Sequence, residues 1–110
     1  MRVMCGDVNA IGPGKIELLE AIQEHRSITA AAKALGMSYR RAWLLVDELN
    51  RSLKEPAVET AAGGAGGGGT ALTPMGVRLL GLYRGIESKV QEACREDIKH
   101  LLGFVQAPRS

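Results

Sequence analysis

The sequence predicts a mainly α domain built around two helices that meet at a steep angle, and three stretches carry that prediction. Ser27 to Asn50, SITAAAKALGMSYRRAWLLVDELN, reads as a short alanine-rich helix, a tight turn at Gly36-Met37 and a second helix opening at Ser38. That order is the signature of a helix-turn-helix. Val58–Thr60 and Thr70–Leu72 flank a glycine-rich run with the alternation of a strand pair. From Thr73 apolar residues return at helical spacing almost to the end of the chain. Together these predict a winged helix-turn-helix, mainly α, with a glycine-rich β-hairpin wing and a long C-terminal dimerisation helix.

Residues 1–11 alternate weakly, with Val3 and Cys5 on one face and the polar GDVN tetrad after them. A short hairpin or edge strand and a disordered arm both remain open. Gly12-Pro13-Gly14 then punctuates, and Pro13 suits the first position of a helix because its missing N–H would be unpaired there anyway. Ile16, Leu19 and Ile22 and, more weakly, Leu18 and Ala21 form the apolar stripe of that helix, with Glu17, Glu20 and Glu24 outside.

Ser27 or Thr29 caps the second helix, whose unpaired N–H groups are expected to point at a phosphate. Ala32 is small enough for close approach, and Gly36 can take the left-handed conformation that a short turn needs. The third helix, Ser38 to about Leu53, would be roughly 20 Å long. Winding it at about 100° per residue puts Ala42, Leu45, Val46, Leu49 and Leu53 on the core face. Arg40, Trp43, Leu44, Asp47 and Arg51 gather on the other. Its first turn holds Tyr39, Arg40 and Arg41, and no acidic residue appears before Asp47. Two arginines at the positive end of a helix are unfavourable by roughly a few tenths of a kcal/mol each, which an external polyanion would relieve. Trp43 and Leu44 are large and apolar for a solvated face, so partial cover by protein is expected, with DNA contact as the alternative.

After Lys54-Glu55-Pro56 comes AVETAAGGAGGGGTALT, the low-complexity segment of the chain. A flexible linker is one reading. A phosphate-binding P-loop fails, because no Gly-Lys-Ser/Thr follows. The favoured reading is a hairpin wing whose tip residues Gly66, Gly67, Gly68, Gly69 and Thr70 lie close to a sugar-phosphate backbone or minor groove. Thr73-Pro74 starts the last helix with a cap and a proline at the first position. That helix is expected to run to about Leu102, about 40 Å. Leu79, Tyr83, Ile86 and Val90 recur like a coiled-coil seam, and Leu101 continues the apolar surface past the end of the domain core. A partner helix in a homodimer is the expected cover. Folding back onto the chain's own first helix is the alternative.

The chain's 110 residues and 45% hydrophobic content suit one domain, divided as an arm (1–11), a winged helix-turn-helix (12–73) and a dimerisation helix (74–104). A net charge of +2 supplies no global basic field, so attraction to nucleic acid would have to come from a local patch. The two cysteines, Cys5 and Cys94, form no CxxC pair, and His25 and His100 stand apart from each other and from them. Neither a metal, a disulfide nor a cofactor is expected. No apolar run or signal-peptide pattern points to a membrane, so a soluble, cytoplasmic protein is expected. No paired carboxylates, and no nucleophile with its base, can be assembled, so an enzyme is not expected.

GPGKIELLEAI, SITAAAKALGMSYRRAWLLVDELN and VETAAGGAGGGGTALTPMG, in this order and spacing, resemble the N-terminal winged-helix domain of the molybdenum-dependent transcriptional regulators, the ModE family. GMSYRRAW followed by the glycine wing and an LT-x-x-G step is the specific part. The likeness covers about residues 12 to 87. The helix-turn-helix is similar, more loosely, to that of the LysR-type regulators.

The resemblance implies a dimer that binds an operator in double-stranded DNA through Ser38, Tyr39, Arg40, Arg41 and the glycine wing, and pairs through its first and last helices. Full-length members carry C-terminal molybdate-binding domains. This sequence ends at Ser110 and resembles the stand-alone branch without them. The expected function is therefore a homodimeric transcriptional regulator on a pseudo-palindromic operator, with a separate effector or sensor protein left open as a partner. The expected DNA-facing residues are Ser27, Thr29, Ser38, Tyr39, Arg40, Arg41, Trp43 and the wing tip. The alternative is a protein-interaction module of the same fold that does not bind DNA.

Overall fold

The computed structural model of the chain describes residues 3–5, 8–60 and 69–106. Two short strands, β1 (Val3–Cys5) and β2 (Val8–Ile11), pair antiparallel with an irregularity between Val3 and Met4. Of the two readings left open for residues 1–11, the hairpin is therefore the one observed, and β2 lies along the third helix.

Helix α1 spans Pro13–His25 with Pro13 in its first turn, as expected. Ile16, Leu18, Leu19, Ala21 and Ile22 are all buried and form the centre of the core. The helix stops at Arg26, which adopts a left-handed φ of 54°, a conformation usually left to glycine or asparagine. Helix α2 (Ile28–Ala34) begins at Ser27, whose Oγ accepts the N–H of Ala30 at 3.1 Å. Ser27, not Thr29, is thus the cap.

The α2 terminus shows why Gly36 is needed. Its φ is +69°, and around it the N–H of Met37 donates to the carbonyl of Ala32 (3.0 Å) while that of Gly36 donates to Lys33 (3.2 Å). This pair of bonds is a Schellman ending, which satisfies otherwise orphaned carbonyls and reverses the chain. Helix α3 (Tyr39–Ser52) starts two residues later, with Ser38 Oγ accepting the N–H of Arg41 at 3.1 Å. Ala42, Val46 and Leu49 face α1 and α2 in the core, with Leu45 and Leu53 half-buried at its edge.

Strands β3 (Val58–Thr60) and β4 (Thr70–Leu72) have the predicted bounds and pair antiparallel, Val58 opposite Leu72 and Thr60 opposite Thr70. Helix α4 (Pro74–Ala93) is capped by Thr73, whose Oγ1 accepts the N–H of Gly76 (3.0 Å) and donates to the carbonyl of Pro56 (2.7 Å). Gly76 sits against the backbone of Ala57: a Cβ there would lie 2.1 Å from the Ala57 carbonyl oxygen. Arg84 ties α4 to α1 by bonding Glu20 and also Glu87, and those two carboxylates hold its guanidinium firmly charged.

Two expectations about the last helix need correction. It is not one rod, because the chain turns out of helical geometry at Cys94 (φ −107°, ψ 15°) and a separate α5 follows, Arg95–Leu102. Tyr83 is also not a seam residue on the surface. It is 3% exposed and belongs to the core with Leu80, while Leu79 packs at the core edge. The physical reason is that one stripe serves two partners in turn. As far as Tyr83 it meets the chain's own α1, and beyond it Ile86, Val90 and Leu101 stay exposed. Nor does α5 fold back onto α1, since none of its residues is buried.

Candidate nucleic-acid interface

The first two turns of α3 gather Tyr39, Arg40, Arg41 and Trp43 on the surface, directly after the exposed cap Ser38. The exposure follows from the turn geometry. The Schellman ending of α2 directs the chain so that Ala42 and Val46 enter the core, and at 3.6 residues per turn the opposite side of the helix, with Tyr39, Arg40, Trp43 and Leu44, looks out. Arg40 and Arg41 form no ion pair among the described residues. Asp47, one turn beyond Trp43, is paired with Arg51 at 3.1 Å, so the free positive charge lies at the N-terminal end of the helix. Arg41 also borders a cleft between α3 and the start of α1, with Lys15 and Glu48 in its wall.

Trp43 is 38% exposed and Leu44 59%, so the protein covers the first in part and the second little, even with β2 alongside. The indole Nε1–H of Trp43 donates to the hydroxyl of Tyr39 one turn before it. This i,i+4 pairing orients both rings along the outward face.

The base of the wing is anchored at two points. The N–H of Thr70 donates to the carbonyl of Arg26 at 3.0 Å, which sets Gly69 and Thr70 beside the start of α2. Asn50, in the last turn of α3, accepts the N–H of Ala57 (2.8 Å) and Val58 (3.3 Å) on Oδ1 and donates Nδ2 to the Val58 carbonyl (3.1 Å). The wing is thereby fixed to α3 and to the junction between α1 and α2.

Most of the expected site residues are therefore placed together: Ser38, Tyr39, Arg40, Arg41 and Trp43 on α3, with Ser27 half-buried and Thr29 exposed at the start of α2. Thr70 is a correction. It is 7% exposed, because the alternation that identifies β4 puts it on the inward side with Leu72. Gly66, Gly67 and Gly68 lie outside the described residues. Sequence reasoning missed Asn50, Arg26 and the buried Lys15, which pairs with Glu48 at 3.1 Å. An asparagine near a helix end followed by a strand was the available signal for the first. Among the described residues no group of three or more His, Cys, Asp or Glu could hold a metal ion, and no helix is long and apolar enough to cross a membrane.

This arrangement, two helices locked by a glycine turn with a hairpin fixed behind the second, defines a winged helix-turn-helix of the DNA-binding kind. The chain belongs to the bacterial regulatory helix-turn-helix proteins of the lysR family, whose description matches residues 14–77, and its helix-turn-helix domain is of the ModE type. It is 44% identical over 84 residues to the molybdenum transport protein ModE of Azotobacter vinelandii, covering 76% of this chain and 31% of that protein. To the molybdenum-pterin-binding protein MopB of Rhodobacter capsulatus it is 44% identical over 80 residues, 73% of this chain and 30% of that one. The transcriptional regulator ModE of Yersinia pestis is 41% identical over 88 residues, 77% and 34% of the two chains. The chain thus spans about a third of the length of these curated relatives.

Proposed function

We propose that the protein is a sequence-specific transcriptional regulator that binds a pseudo-palindromic operator as a homodimer. The observation that carries this reading is the pair of exposed arginines, Arg40 and Arg41, without an ion pair among the described residues, on the first turn of a helix held by a wing and a glycine turn. Positive charge is locally unfavourable there, and phosphate or guanine relieves it. Helix α3 enters the major groove. Arg40 and Arg41 reach guanine edges or phosphates, and Ser38 and Tyr39 bond phosphates. Ser27 and Thr29 approach the backbone at the start of α2, and the tip from Gly66 to Gly69 lies against the flanking backbone or minor groove. Dimerisation uses the surface of Ile86, Val90 and Leu101, where exposed apolar side chains continue onto α5 and to Phe104, 78% exposed. Two α3 helices then lie about one turn of DNA apart, roughly 34 Å. A separate effector or sensor protein is a further partner consistent with this role.

Selection of bound DNA from a randomised library tests the reading. Recovery of a two-fold symmetric site is expected, and a pool without enrichment would overturn it. A second reading, a protein-interaction module, draws support from the exposed Trp43-Leu44 pair. Salt titration separates the two, because phosphate contacts release counterions and the module would give a slope near zero.

A further inference from the structure

We propose that Trp43, continued by Leu44, reads the 5-methyl group of thymine, giving α3 a thymine-selective position beside the one that Arg40 contacts. The proposal rests on the DNA-binding reading above and adds the chemistry of one recognised base. An indole has a single hydrogen-bond donor and no acceptor. In Trp43 that donor is engaged by the hydroxyl of Tyr39. What remains for a ligand is the apolar ring surface, on the outward face with Arg40 and followed by the exposed Leu44.

In the major groove each base edge is a pattern of donors and acceptors, and the apolar group among them is the C5-methyl of thymine. Guanine, adenine or cytosine under the ring would lose water from polar atoms without gaining a hydrogen bond, which is costly. Charge decides that the occupant is DNA and not an apolar protein helix. A close protein partner would have to desolvate Arg40 and Arg41, which form no ion pair among the described residues. Tyr39 is the positioning residue: its oxygen accepts from Trp43, and its own O–H remains able to donate to a phosphate oxygen.

The chain has one tryptophan, so its fluorescence reports on this position alone. The test uses the full chain and a duplex recovered by the selection, with each thymine replaced in turn by deoxyuridine, which removes only the methyl group. Binding is expected to weaken roughly fourfold at one position in each half-site, the weight of one methyl-sized apolar group. In Trp43→Ala that penalty disappears. Tyr39→Phe is expected to shrink it without lowering the melting temperature. Adding the unmodified duplex shifts Trp43 emission to the blue and shields it from acrylamide.

A flat uridine scan overturns the proposal, and so does a penalty that persists in Trp43→Ala. Emission that is already shielded without DNA, and that depends on protein concentration, also overturns it by showing a second copy over Trp43. If Arg40→Ala weakens binding while the uridine scan is flat, this inference alone fails. If the chain binds no DNA at any salt concentration, the parent reading fails with it.

Discussion

Ala57 donates its backbone N–H to the Oδ1 of Asn50 at 2.8 Å, so a single side chain of α3 fixes where the wing begins. The same amide also serves Val58 on both its N–H and its carbonyl, and Ala57 and Val58 are buried. Removing a partner from buried backbone groups costs about 1–3 kcal/mol. Asn50→Ala is therefore expected to lower unfolding stability by about that amount, read from the midpoint of a urea titration. DNA affinity should fall as well, because the wing loses its register against α3.

Gly76 gives a prediction that runs against helix propensity. Alanine normally stabilises a helix interior over glycine by about 1 kcal/mol. At Gly76 the added Cβ meets the Ala57 carbonyl oxygen at 2.1 Å, and backbone cannot yield as a flexible side chain would. Gly76→Ala should lower the melting temperature, whereas Gly81→Ala, with nothing within 4 Å, should hold or raise it. Equal shifts in thermal scans of the two variants would refute the close approach.

Arg40 and Arg41 are exposed and form no ion pair among the described residues, so replacing either with alanine should leave thermal stability within about 0.5 kcal/mol. On DNA the two separate. Arg40→Ala is expected to cost about 1–3 kcal/mol and relax the preference at one base if it reads a guanine edge. A variant that instead weakens all sequences alike and lowers the salt slope by about one has lost a phosphate contact. Anisotropy titrations on specific and scrambled duplexes at several salt concentrations distinguish the outcomes.

The C-terminal apolar surface predicts a change of assembly without a change of fold. Val90→Glu and Leu101→Glu place charge on positions that the chain's own core does not use. Both are expected to convert a dimer to a monomer in sedimentation velocity while the helical signal persists. Tyr83→Glu should instead unfold the domain, because that ring is in the core.

The parts of the fold legible in the sequence are those decided over a few residues. Ser27, Ser38 and Thr73 each cap the helix that follows, because a side-chain oxygen three residues before an N–H is a local geometry. Gly36 marks the turn because few other residues tolerate its backbone angle, and strands β3 and β4 keep their period of two on either side of the glycines. The α3 faces were legible for the same reason, and with them the exposed arginines.

Where a stripe turns from the chain's own core to open surface is not a local property. The seam from Leu79 to Val90 has one period throughout, and only the packing of α1 against Leu80 and Tyr83 decides that its first half is interior. Lys15 is buried against α3, where Glu48, far along the chain, meets its ammonium, and nothing near Lys15 in the sequence marks that pairing. Sequence by itself determined a helix-turn-helix with two arginines at the start of its second helix and a hairpin behind it, since caps, turns and periodicity act between near neighbours. Tertiary structure decided that Asn50 and Arg26 hold the wing, that Thr70 and Tyr83 face inward, and that the C-terminal helix breaks at Cys94. Those outcomes depend on which surfaces meet in the folded chain, and local pattern at most hints at the candidates, as it does for Asn50 and for the alternation at Thr70.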